Sequence, residues 1–499
     1  MKHRTFAKRI LLMLVCTWQL HAGANDAADE PSKGMHLPLS LEDAVLMALE
    51  ANPDLRVQSF EPLVAGAFLR LERARFSPEL FADAFVRETR STETARATGE
   101  QFEAEIEQVR LGGGIQQALS TGAEITLSAT QGTEISNRAP EQEEARLALS
   151  FTQALLRGAG RRVTLAAVEQ ARLDLEISEA ELQGFIEALL ASVETAYWRF
   201  WLAGETIEIA TQALAVAEKQ LSDMQQQIAV GQIARNEEAV ALAEVARRRQ
   251  TLIDAEANLV KRRIELLARI APDQLDTLFI PVTRPETPEE ERGTTLAERI
   301  ALAEQSRPDL QEARLRLEQR TLETVITQNG RLPRLDFFAA LAKTGYGTET
   351  GSAWSDLSGS GYDVQAGLRL RYSPGQSVER ARDAGTRLLQ EQAQAATESL
   401  RLLIASQVRI ARQELARAIR QIEASAETLR HQQRTVEAEI ERFQVGAGTA
   451  LLVAQAQRDL LAVMIAEKEA LVDARLALLN LYVAEGSLLQ RRGMAPLNP

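Results

Sequence analysis

Asn52-Pro53-Asp54-Leu55 and Arg307-Pro308-Asp309-Leu310 are the two stretches whose comparison decides the fold. Around them, Leu41, Pro53, Asp54, Leu55, Pro78 and Leu80 recur without a gap as Leu296, Pro308, Asp309, Leu310, Pro333 and Leu335, each 255 positions further on. Val230-Gly231 returns as Val445-Gly446, 215 positions later, each time in the middle of a very long helical pattern. A unit of about half the chain, running helix, strands, long helix, hairpin tip and returning helix, is therefore present twice. One such unit cannot bury its faces alone, and two per chain predict a pseudo-symmetric assembly.

The helical parts carry coiled-coil spacing. Ile207, Ala210, Leu214, Ala217, Leu221, Met224 and Ile228 alternate three and four apart, and the same seam runs from Val453 through Ala456, Leu460, Ala470 and Ala474 to Leu481. Small residues in such a seam let neighbouring helices approach closely. After Arg161 two seams interleave, a stronger one through Leu165, Val168, Leu175, Leu182, Ile186, Leu189, Val193, Ala196 and Phe200 and a weaker one through Val163, Ala166, Leu173, Ile177 and Ala180. A helix with two apolar seams packs on both sides, as a stave does in a barrel. Residues 161–229 and 377–444 hold no proline, so each predicts a helix of about 100 Å at 1.5 Å per residue. A lone chain would leave one seam bare, which a closed ring of chains repairs.

Between helices the period changes to two. Val364, Ala366, Leu368, Leu370 and Tyr372 alternate with Gln365, Gly367, Arg369 and Arg371, and Leu147, Leu149 and Phe151 alternate with Ala148, Ser150 and Thr152. Such alternation suits either a half-buried soluble strand or a membrane barrel with a wet lumen. The first residues favour the barrel. Lys2, Arg4, Lys8 and Arg9, the apolar run Ile10 to Val15 and Ala22-Gly23-Ala24 form an export signal over residues 1–24. Its Cys16 is the chain's one cysteine; Val15 stands before it where lipidation wants a small residue, so it reads as an apolar filler removed with the signal. The mature chain then has no disulfide and no thiolate metal site.

Composition excludes other classes. A net charge of −13 argues against a nucleic-acid groove. No later apolar run is long enough to cross a bilayer as a helix, so a membrane crossing must use strands. Beyond the signal only His36 and His431 remain, neither beside a second ligand, and Gly112-Gly113-Gly114 lacks the lysine of a phosphate loop. No nucleophile stands with a base; no enzyme, cofactor or metal is expected.

At this point the chain resembles the TolC-family outer-membrane efflux proteins over about residues 39–489. The resemblance is carried by Leu41-Glu42-Asp43-Ala44, Asn52-Pro53-Asp54-Leu55, Phe151-Thr152-Gln153, Leu155-Leu156-Arg157-Gly158-Ala159-Gly160, Ala196-Tyr197-Trp198 and the two Val-Gly tips, in that order and duplicated. It implies a mainly α protein with a membrane β-barrel portion: a homotrimer whose barrel in the outer membrane continues as an α-helical barrel through the periplasm. It also implies a periplasmic adaptor protein and an inner-membrane transporter as partners. On this reading residues 39–271 and 295–489 are the repeats, 272–294 an equatorial linker and 490–499 a C-terminal tail. The function is that of a passive exit duct of an efflux pump or type I secretion system. Two readings of other classes stand beside it, a soluble periplasmic coiled-coil adaptor and an envelope spacer that does not conduct.

The tips, residues 230–234 and 445–449, are the expected adaptor-docking site, with Val230, Gly231, Val445, Gly446 and Thr449 as its residues. Glycine there ends one helix at positive φ and reverses the chain. The family narrows its mouth with acids six and nine positions past the second tip glycine; here those positions are Leu452 and Gln455. Glu237, six past Gly231, and its neighbour Glu238 are the candidate acidic ring, or else carboxylates of a helix first turn. Arg369 and Arg371 are candidates for the barrel lumen. Strands are expected at about 79–88, 106–118, 122–131, 145–154, 334–345 and 363–372, with long polar loops at 89–105 and 132–144. That makes six per chain, hence 18 in a trimer against the family's usual 12, unless the additional hairpin folds over the rim.

Overall fold

The computed structural model describes residues 37–94, 99–232, 234–288 and 294–494. The expected export signal, Cys16 and His36 lie outside the described residues.

The first repeat opens with strand β1 (Leu37–Leu39) and helices α1 (Leu41–Ala51), α2 (Pro53–Gln58) and α3 (Phe60–Ala74). Strands β2 (Glu79–Thr94), β3 (Gln101–Ala118), β4 (Ala123–Ser136) and β5 (Ala139–Ala154) follow, then a single turn α4 (Arg161–Thr164), the long α5 (Ala166–Ala229) and the returning α6 (Glu238–Ile270). The linker carries β6 (Phe279–Pro281). The second repeat runs α7 (Leu296–Ser306), α8 (Pro308–Gly330), β7 (Arg334–Gly347), a short α9 (Thr350–Asp356), β8 (Asp363–Arg371), the long α10 (Ser377–Gln444), α11 (Ala450–Glu485) and α12 (Leu488–Arg491).

The duplication extends to cap chemistry. Ser40 and Asp43 form a capping box at the start of α1, and Thr295 and Glu298 form the same box at the start of α7, again 255 positions on. Each box satisfies two otherwise orphaned N–H groups of the first turn. Where α8 continues for 23 residues, its counterpart is broken into α2 and α3 at Ser59. Pro62 supplies the reason, because its ring cannot donate to the carbonyl four residues back.

Long helices form as the seams require, with one correction. The expected helix from Arg161 is interrupted at Leu165 and runs unbroken only from Ala166. Thr164 Oγ1 donates to the Gly160 and Gly158 carbonyls at 3.0 and 3.4 Å, pinning the first turn to the preceding loop. The two seams of α5 divide its length. Nearer the sheet Ala166, Leu173, Ile177 and Ala180 are buried while Leu165, Val168, Leu175 and Leu182 are half-buried. Further along, Leu189, Val193, Ala196 and Phe200 of the stronger seam enter the main core.

The largest apolar core lies where α1, α5, α6 and the end of α11 meet: Leu190, Val193, Tyr197, Trp198, Trp201, Leu266, Leu267 and Leu479 all pack there. Tyr197 fastens it to the linker, its hydroxyl donating to the Leu39 carbonyl at 3.0 Å and accepting from Thr283 N–H at 2.9 Å. Beside it β1 and β6 pair in parallel, Leu37 with Phe279 and Leu39 with Pro281. Trp198 and Trp201 are thus packing residues.

Among the described residues the remaining strands form one antiparallel sheet in the order β2-β3-β4-β5-β7-β8. The expected long loops at 89–105 and 132–144 are largely strand: β2 and β3 pair continuously from Glu79↔Gln116 to Thr94↔Gln101, and β4 turns into β5 through Asn137 and Arg138. Polar side chains do not prevent this. Backbone bonding satisfies the main chain while cross-strand pairs such as Gln108 Nε2 to Glu134 Oε2 (2.8 Å) and Arg90 with Glu105 (3.0 Å) sit in water. The turn between β3 and β4 at Leu119–Gly122 lies beside the start of α4, with Ala154 N–H donating to the Gly122 carbonyl and Gly160 N–H to the Thr121 carbonyl.

Candidate functional site: an apolar-banded sheet over two helical tips

Register assigns every strand residue to a face, because antiparallel partners share one and neighbours alternate. One face carries Leu80, Ala82, Ala84 and Val86 of β2, Val109, Leu111 and Ile115 of β3, Ile125, Leu127 and Ala129 of β4, and Leu147, Leu149 and Phe151 of β5. It continues through Phe337, Ala339 and Leu341 of β7 to Val364, Ala366, Leu368 and Leu370 of β8. Leu80, Val86, Leu368 and Leu370 are 65–77% exposed, so this band faces no part of the same chain. An apolar belt on the outside of a sheet, with aromatic residues at its borders, is what lipid demands. Trp354 and Tyr362 stand exposed at the β7–β8 end and Tyr372 at the other.

The opposite face is polar. Asp83, Arg87, Arg110, Thr126, Ser150 and Arg146 lie on it, and so do Arg369 and Arg371. The Arg369 guanidinium sits 5.3 Å from the Phe338 ring centroid, while Arg371 lines a cavity of about 560 Å³ with Arg157, Arg334 and Glu379 at the foot of the sheet. The Gly112-Gly113-Gly114 run belongs to this sheet. A Cβ on Gly114 would stand 2.7 Å from the Phe81 ring, so glycine lets that ring lie across the strand.

At the far end of the molecule the two tips are built identically. Gly231 and Gly446 both have φ of 74°. Gly231 N–H donates to Ile228 O and Gln232 N–H to Gln227 O; in the second tip Gly446 N–H donates to Phe443 O and Ala447 N–H to Arg442 O. This pair of bonds satisfies the last carbonyls of a helix and turns the chain through a left-handed residue. Val230 and Val445 flank the turns at 70% and 79% exposure. The returning helices start differently: Thr449 Oγ1 accepts from Leu452 N–H, whereas the 3-10 turn Arg235–Glu237 leads into α6 without a side-chain cap.

The aperture candidates separate in the structure. Glu237 is half-buried at the start of α6; Glu238 accepts from Gln225 Nε2 at 3.0 Å, which ties it across its own hairpin. Leu452 and Gln455 are exposed, with Asp459 one turn further on, also exposed, an acid that counting from the tip glycine missed. Just behind the tips α5, α6, α10 and α11 leave a groove of about 390 Å³ lined by Met224, Val240, Phe443, Ala450 and Val453. The hairpins are joined there through Glu244, which pairs with buried Arg248 at 2.7 Å and approaches Arg458 of α11 at 4.0 Å. Burial draws the Arg248 guanidinium below its ordinary range, and the Glu244 charge opposes that. Sequence reasoning missed this linkage, since acid–base spacing within one helix says nothing of a second hairpin. Among the described residues no cluster of His, Cys, Asp or Glu suits a metal ion, and no helix is long and apolar enough to cross a membrane.

A sheet banded with apolar residues, carried on helices of about 100 Å that end in twin reversing tips, defines a channel protein that joins a membrane barrel to a long helical conduit. The chain belongs to the outer membrane efflux protein family, whose model matches residues 45–270 and 300–487. Solved structures share the fold. The outer-membrane channel OprN is 18% identical with a TM-score of 0.67, each chain covered to 90%. CusC is 15% identical with a TM-score of 0.66, over 92% of this chain and 95% of that one. The outer membrane protein VceC from Vibrio cholerae is 18% identical with a TM-score of 0.65, over 89% and 96%. No curated protein matches this chain.

Proposed function

We infer that this chain is the outer-membrane exit duct of a tripartite efflux pump or type I secretion system, working as a homotrimer that conducts passively. One observation carries the reading: the protomer has two free edges, and each runs through both the helical and the strand layer. Above the core the helices pack in the order α3-α5-α8-α10, and the strands end at β2 and β8. α3 leads directly into β2, and β8 directly into α10. Both outer helices keep bare apolar stripes: Phe60, Val64, Phe68 and Leu71 on α3, and Leu389, Leu403 and Ile410 on α10, all exposed. Stripes of this kind are left for a partner. A ring of identical copies covers all of them by laying α3 and β2 of one chain against α10 and β8 of the next, and the family likeness supports three.

The substrate stays unassigned. An inner-membrane transporter supplies the energy, and a periplasmic adaptor meets the tips at Val230, Gly231, Val445, Gly446 and Thr449. Glu237 is the proposed cation-attracting constriction, and Arg369 and Arg371 line the lumen. Residues 1–24 direct export. The soluble-adaptor reading loses ground to the apolar band, which water would not tolerate. Extraction tests the assignment: the protein is expected in the outer-membrane fraction, released only by detergent, as a particle of three chains with both helix and strand in its circular dichroism. A water-soluble monomer would sink it.

A further inference from the structure

All six strands of the main sheet share one apolar band, and the hairpin of β2 and β3 carries its full portion. Leu80, Ala82, Ala84 and Val86 pair with Ile115, Gly113, Leu111 and Val109, and this row meets Leu127 and Ala129 of β4 at the same level. A flap lying over the rim would be bathed by water and would have no use for such a row. The polar face is equally continuous, since Phe81 lies across Gly114 much as Phe338 lies across Gly367 in the second repeat. Edge direction agrees: β2 and β8 run oppositely, so the two free edges of neighbouring copies meet as an antiparallel pair.

We propose that all six strands enter the barrel, so that the assembly closes with 18 strands where the family resemblance implies 12, and that this widening sets the size of cargo the outer membrane exit passes. The proposal rests on the trimeric-duct reading above. Barrel size grows with strand number: at about 4.8 Å between strands and a tilt of about 40°, the backbone radius is about 18 Å for 18 strands and about 12 Å for 12. Twelve helices spaced about 9 Å apart form a ring of about 17 Å radius. The wide barrel therefore continues the helical conduit without a neck. The cargo class this favours is solutes too broad for a narrower exit, admitted by cross-section, because charges of both signs share the lumen face.

The register between copies is drawn from internal symmetry. β7 corresponds to β2 at 255 positions, and β8 is set on β5 at 217, two more than the 215 between the tips, so that Leu147, Leu149 and Phe151 fall on Val364, Ala366 and Leu368. Within the chain Phe151 pairs with Ala339 and Leu149 with Leu341. The equivalent contacts between copies are Leu368 with Ala84 and Ala366 with Val86, which match lipid-facing residue to lipid-facing residue.

Cysteine cross-linking reads this directly, because the sole native cysteine, Cys16, lies in the expected export signal. Ala84→Cys is combined in turn with Ala366→Cys, Leu368→Cys and Leu370→Cys, and a second set combines Leu127→Cys with the same three. Full-length protein is oxidised with copper phenanthroline in outer membranes and its mass read on denaturing gels. In an 18-stranded ring Leu127 stands three strands, about 14 Å, from the neighbour's β8, beyond the roughly 7 Å a disulfide allows. Covalent trimers from the Ala84 set and none from the Leu127 set are expected. Trimers from the Leu127 set would overturn the proposal, placing β2 and β3 outside the barrel. Failure of both sets in protein whose detergent-solubilised mass is that of three chains would overturn it too, while leaving the duct reading intact. A monomeric mass removes the assembly itself, and this inference with it.

Discussion

Glu187 stands almost free of solvent on α5, facing the start of α8. Loss of water pushes its carboxyl up to about 7; Gln183 and the Arg307 charge oppose the shift, and Asp309 adds to it. The folded value lies above the unfolded one, so the protonated carboxyl is tolerated at low pH. Stability is then lost as pH rises from the unfolded value toward 7. At 1.36 kcal/mol per unit the full cost is about 3 kcal/mol. Glu187→Gln removes it: the variant should melt higher than the wild type at pH 8, with the gap narrowing toward pH 5. An equal gap at both pH values would contradict the assignment. Glu237 poses the other residue-scale question. If three copies converge at the mouth, block by a trivalent cation added from the periplasmic side should weaken several-fold in Glu237→Gln channels. Unchanged block would mark Glu237 as a helix-start carboxylate facing water, leaving closure to packing around Leu451 and Leu452.

Among elements, the tips are the sharpest test. A Cβ at Gly231 or Gly446 meets nothing within 4 Å, so the penalty for a larger residue is that of φ alone, about 1–2 kcal/mol per site. Two such penalties leave long helices standing but reshape the reversal and crowd the exposed surface beside Val230 and Val445. Replacing both glycines by valine should abolish efflux while trimers persist in the outer membrane; wild-type resistance to pump substrates would refute the docking role. The reversals were legible because helix, glycine and helix leave one physical option. Other elements were not. The three-residue strands β1 and β6 are too short to show a period, and their pairing depends on residues 242 positions apart meeting in space. The outer halves of β2 to β5 looked like loops because their residues are largely polar, and the alternation of Phe102, Ala104 and Ile106 with Glu103, Glu105 and Glu107 falls on the face opposite the apolar band. The break at Leu165 follows from hydroxyl bonds to a neighbouring loop, which composition does not encode.

For the whole molecule, the lipid-facing band shows what a sequence can and cannot carry. Alternation at Val364 to Leu370 was plain, but only register shows that the four strands of the first repeat extend the same face. The two-seamed α5 likewise announced neighbours on both sides. Which seam the chain keeps for itself was hidden only in the part of α5 beside α8, because burial there depends on where α8 lies and not on the strength of the pattern. The candidate site was legible in outline, as tips and strands; the Glu244–Arg248–Arg458 linkage and the shared edges of helix and sheet required the fold. A molecule assembled along those edges encloses a continuous path, and conduction is the claim on which the account stands. Purified protein added to a planar lipid bilayer should open long-lived ion-conducting channels with no energy source present. Protein that enters the bilayer as trimers yet passes no current would contradict the duct and leave only a structural spacer.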